Sequence, residues 1–162
     1  MTPEKAGAPA ARGHAQSVLE VPAATSYLAV IRELVVAAAR EYCFPATELA
    51  KIVMAVDEAC VNVVEHAYGG EADLEHARIE IRLDVGPGRL DVTILDRSPV
   101  AFSPLGHTVP DLAAYLESGG PKGLGILILL RFMDQVSHSY SPGSGNRLHL
   151  VKYLSPERPF GK

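Results

Sequence analysis

The sequence contains few cysteines, no long apolar run and no excess of basic residues. Its two cysteines, Cys43 and Cys60, are too few for a disulfide framework or a cysteine zinc site, so we expect two buried structural thiols. The most strongly apolar run, residues 126–130, is far shorter than a membrane-spanning helix of about 20 residues. Fifteen Lys and Arg against 19 Asp and Glu give a net charge of −4, which argues against direct binding of nucleic acid.

The length and composition favour a single folded domain with short tails. A chain of 162 residues, 48% of them hydrophobic, can bury a core without a disulfide or metal. Residues 1–16 are rich in Ala, Gly and Pro and lack the apolar core of a signal peptide, so we predict a flexible tail. The predicted domain covers residues 17–154, residues 155–162 form a C-terminal tail, and we expect a soluble cytoplasmic protein without a membrane segment.

Hydrophobic periodicity predicts the element order β-α-α-β-β-loop-α-β-β. Alternating apolar and polar residues on both sides of Gly86-Pro87-Gly88 predict an antiparallel hairpin, and Pro45 separates the first two helices. Because strands seldom alternate singly with helices, we predict an α+β fold, a two-layer sandwich with a mixed, mostly antiparallel sheet and helices on one face. The predicted strands are 17–21, 79–85, 90–95, 136–140 and 148–154, and the second and third helices are about 47–67 and 124–133.

Three polar residues of the second predicted helix, Glu58, Asn62 and His66, form one stripe at spacings of i, i+4 and i+8. The solvated face of an ordinary amphipathic helix would produce such a stripe, because polar outer faces are the rule. The stripe nevertheless combines a carboxylate and an amide one turn apart, which supply a base and hard oxygen ligands. The second interpretation is therefore a site for Mg²⁺ held together with substrate phosphates.

A glycine-rich segment, Gly119-Gly120-Pro121-Lys122-Gly123-Leu124-Gly125, leads directly into the third predicted helix. Its glycines let the backbone approach a ligand closely, and the free amides of the helix N-terminus, with Lys122, favour a phosphate. A flexible hinge before a buried helix is an equally open interpretation. The segment has neither the Walker A spacing nor the preceding strand of a Rossmann fingerprint.

Asp96 ends the second strand of the predicted hairpin and precedes a long irregular segment, 97–121, with room for a short helix at 111–117. An Asp in this position is most often a turn residue whose side chain bonds its own backbone. The alternative is an acceptor for an exocyclic amine such as that of adenine. A long segment with little regular structure is more often functional than accidental.

Taken together and in this order, these motifs resemble the gyrase and histidine-kinase-like ATPase superfamily. Within it, the chain most resembles the stand-alone anti-sigma-factor serine/threonine kinases, over about residues 17–154. The residues that carry the resemblance are Glu58-Ala59-Cys60-Val61-Asn62 with His66-Ala67-Tyr68, then Asp96 with Phe102 and Pro104, then the glycine-rich segment, and finally Met133-Asp134 and a closing strand with Asn146 and Lys152.

The resemblance implies a role for each motif. Glu58 matches the family's catalytic glutamate, which takes the proton from the attacking hydroxyl, and Asn62 matches its Mg²⁺-binding asparagine. Asp96 matches the aspartate that holds the adenine amino group, residues 97–121 would form the mobile lid, and His66 matches a structural position. The implied ATP-binding residues are Asn62, Asp96, Ser98, Gly119, Gly120, Lys122, Gly123, Leu124 and Gly125.

What the resemblance implies about function is an ATP- and Mg²⁺-dependent kinase that phosphorylates a serine or threonine of an anti-anti-sigma antagonist. Such kinases control a sigma factor by partner switching, often as homodimers. The family usually has Asp-x-Gly after the hairpin, whereas this chain has Ser98, and the added Cβ is expected either to crowd the adenine pocket or to alter its water. A non-catalytic module that binds such a regulator, with a structural or degraded nucleotide site, therefore stays open, and a nucleotide hydrolase of the same superfamily is a third alternative.

Overall fold

The computed structural model describes residues 13–69, 76–102 and 124–154. Within these ranges the helices and strands follow the predicted order. The strands are β1 (Ala15–Pro22), β2 (Arg78–Gly86), β3 (Arg89–Asp96), β4 (Gln135–Ser141) and β5 (Gly145–Tyr153). The helices are α1 (Leu28–Glu41), preceded by a 3-10 turn (Thr25–Tyr27), α2 (Ala46–Asn62), which continues as a π-helical turn (Val63–Ala67), and α3 (Leu124–Phe132).

The five strands form one sheet in the order β1-β2-β3-β5-β4, and each of these pairings is antiparallel. The predicted α+β fold is confirmed. The register between β3 and β5 places Asp96 directly opposite Asn146, although 50 positions separate them along the chain. This pairing brings the end of the predicted hairpin next to the start of the closing strand.

Alternation along the strands explains why the helices cover one face of the sheet. In β2, Ile79 and Ile81 are at most 1% exposed, whereas Arg82 is exposed. Full burial of one such aliphatic side chain stabilises the fold by about 1.5–3 kcal/mol. The same core cluster receives the buried faces of the helices α1, α2 and α3, including Ile31, Val35, Ile52, Val56 and Leu129.

The structure tests the expectation that both cysteines are buried. Cys60 is buried, and burial raises the pKa of its thiol, but the prediction of a second buried thiol is wrong because Cys43 is exposed. Cys43 lies beyond the end of α1 with a left-handed φ of 60°, in the turn that leads to Pro45.

In the ranges given above, no helix is both long enough and apolar enough to cross a membrane.

The predicted boundaries differ from the observed ones at a few places. Strand β1 begins at Ala15, so the last residues of the predicted N-terminal tail pair with β2. Residues 1–12, the C-terminal tail 155–162 and the short helix predicted at 111–117 lie outside the described residues.

Candidate functional site

Two residues of the polar stripe, Glu58 and Asn62, face the first turn of α3. A Cβ built on Gly125 would lie 2.6 Å from Glu58 Oε2 and 3.6 Å from Asn62 Nδ2. Because Cβ atoms essentially never approach another heavy atom within 3.0 Å, glycine at 125 leaves room for the end of the Glu58 side chain against α3. Two motifs that are far apart in the sequence, the helical stripe and the end of the glycine-rich segment, therefore meet here.

Glu58 is a half-buried carboxylate on the side of α2 that contacts α3. Burial, reinforced by the negative charges of Asp57 and Glu65, raises the pKa of the Glu58 carboxyl. The neighbouring Asp57 instead accepts a hydrogen bond of 2.6 Å from Arg32 Nε on α1. Glu58 is thus the carboxylate available at the junction with α3, and its raised pKa suits a proton acceptor.

Asn62 carries an incompletely satisfied carboxamide. Its Nδ2 is buried and has no hydrogen-bond partner in the part of the chain that the structure describes. A buried donor without a partner costs about 1–3 kcal/mol, a cost that a hydrogen-bond acceptor such as a phosphate oxygen would remove. Mg²⁺ takes only a few protein oxygen ligands together with water and phosphate oxygens, so the other atom of the same carboxamide, Asn62 Oδ1, is the one that would hold this ion.

Asp96, at the end of β3, is only 2% exposed. Its Oδ1 accepts hydrogen bonds from the backbone N–H of Ser98 and from Asn146 Nδ2, both at 3.0 Å. Burial raises the pKa of the Asp96 carboxyl, and these hydrogen bonds partly oppose the shift. The bond from Ser98 is the local turn interaction that the sequence suggests, but the carboxylate also faces a cavity.

This cavity brings Asn62 and Asp96 together between α2 and the sheet. Apolar side chains around a buried acceptor suit a flat heteroaromatic base with an exocyclic amine. The cavity measures about 10 Å³, and at its edge the Phe102 ring stacks on His66 with centroids 4.8 Å apart. The lining residues are Ala59, Asn62, Val63, Ile94, Asp96, Phe102, His138, Asn146 and Leu148.

Ser98, which stands where the resemblance predicts glycine, is 1% exposed. Its Oγ donates a hydrogen bond of 2.7 Å to the carbonyl of Ala67 and accepts one of 3.0 Å from the N–H of Val100. The hydroxyl therefore satisfies a carbonyl at the end of the π-helical turn that follows α2. It ties the segment after β3 to the helix that carries Glu58 and Asn62.

Part of the predicted phosphate site lies outside the residues that the structure describes. Gly119, Gly120, Lys122 and Gly123 lie outside the described residues, and the predicted lid is described only as far as Phe102. Leu124 and Gly125 begin α3, where Leu124 is 44% exposed.

Sequence reasoning gives no role beside Asp96 to three residues that surround it, although one of them, Asn146, is among the residues that carry the resemblance. Gly145 has a left-handed φ of 84°, and a Cβ there would overlap the carbonyl oxygen of Asp96. Asn146 bonds the Asp96 carboxylate, and His138 Nε2 lies 3.2 Å from Asn146 Oδ1. The glycine-asparagine pair after a turn is the sequence signal for this corner, but its register against β3 depends on the folded sheet.

Known proteins resemble this chain over most of its length. The serine-protein kinase RsbW of Bacillus subtilis is 30% identical over 145 residues, and that of Bacillus pumilus is 28% identical over 150 residues. Each alignment covers 86% of this chain and 86% of the relative. The anti-sigma F factor of Pasteuria penetrans is 30% identical over 111 residues, which cover 68% of this chain and 72% of that protein.

A solved structure and a family model agree with these relatives. The crystal structure of the RsbU and RsbW domains of a Mycobacterium tuberculosis protein matches 86% of this chain with a TM-score of 0.60. At 16% identity this match shows the fold alone, and the present chain spans about a third (32%) of that longer chain. Residues 21–152 match the model described as a histidine kinase-like ATPase domain. Because that match covers most of the sequence, the chain belongs to the histidine kinase-like ATPase domain family.

Proposed function

We propose that this chain is an ATP-dependent serine/threonine protein kinase that phosphorylates an anti-anti-sigma antagonist and controls a sigma factor by partner switching. The proposal depends mainly on one observation: Glu58, Asn62 and Gly125 lie close together beside the cavity that Asp96 lines. The names of the relatives, serine-protein kinase and anti-sigma F factor, support the same activity and partners.

Nucleotide binding is assigned to the cavity and to the glycine-rich segment. The Asp96 carboxylate would accept a hydrogen bond from the adenine amino group, and Ile94 and Leu148 would pack on the base. Because the cavity measures only about 10 Å³, entry of the base would require its lining, which includes Phe102, to move. The glycines that precede α3, together with Lys122, would contact the phosphates through backbone amides and one positive charge.

Phosphoryl transfer depends on a well-placed nucleophile and on stabilisation of the phosphate charge. Mg²⁺, held by Asn62 and the phosphates, would supply part of that stabilisation. Glu58 would accept the proton of the substrate hydroxyl as the hydroxyl oxygen bonds to the γ-phosphorus, while the bond from the γ-phosphorus to the β–γ bridging oxygen breaks and ADP leaves. Its raised pKa favours this transfer, and Gly125 leaves room for its carboxylate.

The non-catalytic alternative is less well supported. It depends on the expectation that Ser98 crowds the adenine pocket. The Ser98 hydroxyl instead bonds Ala67 and Val100, and the cavity is lined by other side chains. The reason for expecting a degraded nucleotide site is thereby weakened.

The role of Glu58 is tested by Glu58→Gln, which keeps the side-chain shape beside Gly125 but removes the proton acceptor. Transfer of labelled phosphate from ATP to a co-purified antagonist is expected to fall by about 10²- to 10⁴-fold. ATP affinity, measured by calorimetry, is expected to change by less than about threefold, which is under 1 kcal/mol. Glu33→Gln, an exposed change on α1, is the matched control and should leave both quantities unchanged. Undiminished transfer by Glu58→Gln would refute the assignment.

Two further parts of the proposal concern assembly and location. We expect a homodimer, which light scattering after size-exclusion chromatography would detect as twice the chain mass. We also expect a cytoplasmic protein, because the proposed substrates are regulators of transcription.

A further inference from the structure

Lys152, in β5, is a buried lysine that the proposed mechanism does not use. It is 8% exposed, and it is among the residues that carry the resemblance, which gives it no role. Its Nζ donates a hydrogen bond of 3.0 Å to the carbonyl of Phe132, the last residue of α3. The same Nζ lies 2.9 Å from Glu48 Oε2, near the start of α2, and 3.6 Å from Asp134 Oδ2. One ammonium group therefore joins the start of α2 to the end of α3.

Glu48 also has a second cationic partner. Lys51 Nζ, on the same helix, lies 2.6 Å from Glu48 Oε1. The pKa of the Glu48 carboxyl is lowered, mainly by the hydrogen bond from Lys51 and in addition by Lys152, against the effect of burial. The Lys51 side chain is 42% exposed, whereas that of Lys152 is 11% exposed. Because it is costly to take an ammonium group out of water, stabilising Glu48 does not by itself account for burying Lys152.

The two helices that Lys152 joins pack side by side in opposite directions. Gly125, at the start of α3, lies against Glu58 near the end of α2. At the other end of the interface, Phe132 is joined through Lys152 to Glu48. Glu48 and Glu58 are ten residues apart, which is about 15 Å along a helix. The Lys152 contacts and the contact between Glu58 and Gly125 therefore hold opposite ends of one interface.

The side chains of α3 contribute little that would fix its position along α2. Residues 124–130 are glycine and aliphatic residues only. Apolar contact is non-directional, so it selects a position along the helix axis less sharply than a hydrogen bond or an ion pair does. The N–H of Asp134 donates to the carbonyl of Val151 at 2.9 Å and ties the chain after α3 to β5. Lys152 adds a directional tie from the end of α3 to α2.

We propose that Lys152 is a positioning residue for phosphoryl transfer, which holds α3 at the place along α2 where Gly125 leaves room for the Glu58 carboxylate. This inference rests on the proposed function, because it assumes that Glu58 accepts the proton of the substrate hydroxyl. The room is narrow, since a Cβ on Gly125 would lie 2.6 Å from Glu58 Oε2. Misplacing a reacting group by about 1 Å can cost about 10²-fold in rate, even when the change is far from the chemistry. A small slide of α3 is therefore expected to lower kcat.

The test replaces Lys152 by methionine, which keeps an unbranched apolar stem and removes the ammonium group. In Lys152→Met, kcat for phosphate transfer from ATP to a co-purified antagonist should fall by about tenfold or more, at a temperature at which circular dichroism shows the variant to be folded. The matched control is Lys51→Met, which removes the other ammonium group that pairs with Glu48, but one whose pairing lies within α2. Its kcat should stay within about twofold of the wild-type value, because an exposed pair contributes little.

A comparison of two backgrounds separates positioning from a role in stability alone. If Lys152 acts through Glu58, its replacement should lower kcat by less than about threefold in a Glu58→Gln protein, because residues that act as a unit are not additive. An equal loss of kcat in both backgrounds, or wild-type kcat in folded Lys152→Met, would overturn the inference and leave the proposed function intact. Wild-type protein that transfers no phosphate would overturn both.

Glu48→Met provides a second variant should thermal unfolding show that Lys152→Met is unfolded. It removes the α2 end of the tie and leaves Lys152 beside Asp134 and the Phe132 carbonyl. The same loss of kcat, confined to the background that contains Glu58, supports the inference. A folded Glu48→Met variant with wild-type kcat, or with an equal loss in both backgrounds, overturns it.

Discussion

Replacement of Gly125 by alanine is expected to separate activity from stability. The added Cβ would lie 2.6 Å from Glu58 Oε2, which is 0.8 Å short of the 3.4 Å at which ordinary van der Waals contact begins. The next atoms, Glu58 Cδ at 3.5 Å and Asn62 Nδ2 at 3.6 Å, already lie at ordinary contact distance. Only the flexible end of the Glu58 side chain therefore has to move, while the helices can stay in place.

Gly125→Ala is expected to lower the rate of phosphate transfer and to raise the stability of the fold. Displacing a reacting group by about 1 Å can cost about 10²-fold in rate, so kcat for phosphate transfer should fall by roughly that factor. Alanine in place of a helical glycine stabilises by about 0.5–1 kcal/mol, because it reduces the backbone entropy of the unfolded chain. In a chain of 162 residues, 1 kcal/mol corresponds to about 2–4 °C in Tm. The variant should therefore unfold at the same temperature as the wild type or a few degrees higher.

Thermal unfolding followed by circular dichroism and the phosphate-transfer assay measure the two effects on the same sample. Gly13→Ala is the control, because a Cβ at Gly13 would meet nothing within 4 Å. A fall in Tm of more than about 4 °C would mean a loss of more than about 1 kcal/mol and would show that α3 itself is displaced. A kcat above half of the wild-type value would refute the assignment of Glu58 as the proton acceptor at this junction.

Two further predictions concern Ser98 and the pH dependence of the reaction. Ser98→Ala leaves the Ala67 carbonyl and the Val100 N–H without their partner, so the free energy of unfolding in urea should fall by about 1–3 kcal/mol. Its ADP affinity should stay within about threefold of wild type, and a clear gain would show instead that the serine crowds the base. Because the pKa of Glu58 is raised, the rate of phosphate transfer should fall as the pH is lowered through that pKa, at a higher pH than for an ordinary carboxylate. The same raised pKa means that ionised Glu58 destabilises the fold at neutral pH and that this cost disappears as the pH falls, so Glu58→Gln should be at least as stable as wild type at pH 7.

The parts of the site that lie within one element could be predicted because helical geometry relates sequence spacing to position. Glu58 and Asn62 are one turn apart on α2, and they do face the same neighbour, Gly125. The hairpin of β2 and β3 is similarly local, since alternation and a glycine turn determine it. The prediction that Cys43 is buried is wrong because the apolar pattern of α1 does not show where the chain leaves the helix.

The amino-acid sequence by itself determines the order of helices and strands, the apolar face of each one, and a helical carboxylate and amide followed by a glycine-rich segment. These features depend on spacings of a few residues, over which the backbone geometry is known in advance. Tertiary structure alone decides that the Ser98 hydroxyl bonds a carbonyl 31 positions away, and that Asn146 bonds a carboxylate 50 positions away. Such contacts depend on strand register and helix packing, because shifting a strand by one residue would turn Asn146 to the opposite face of the sheet.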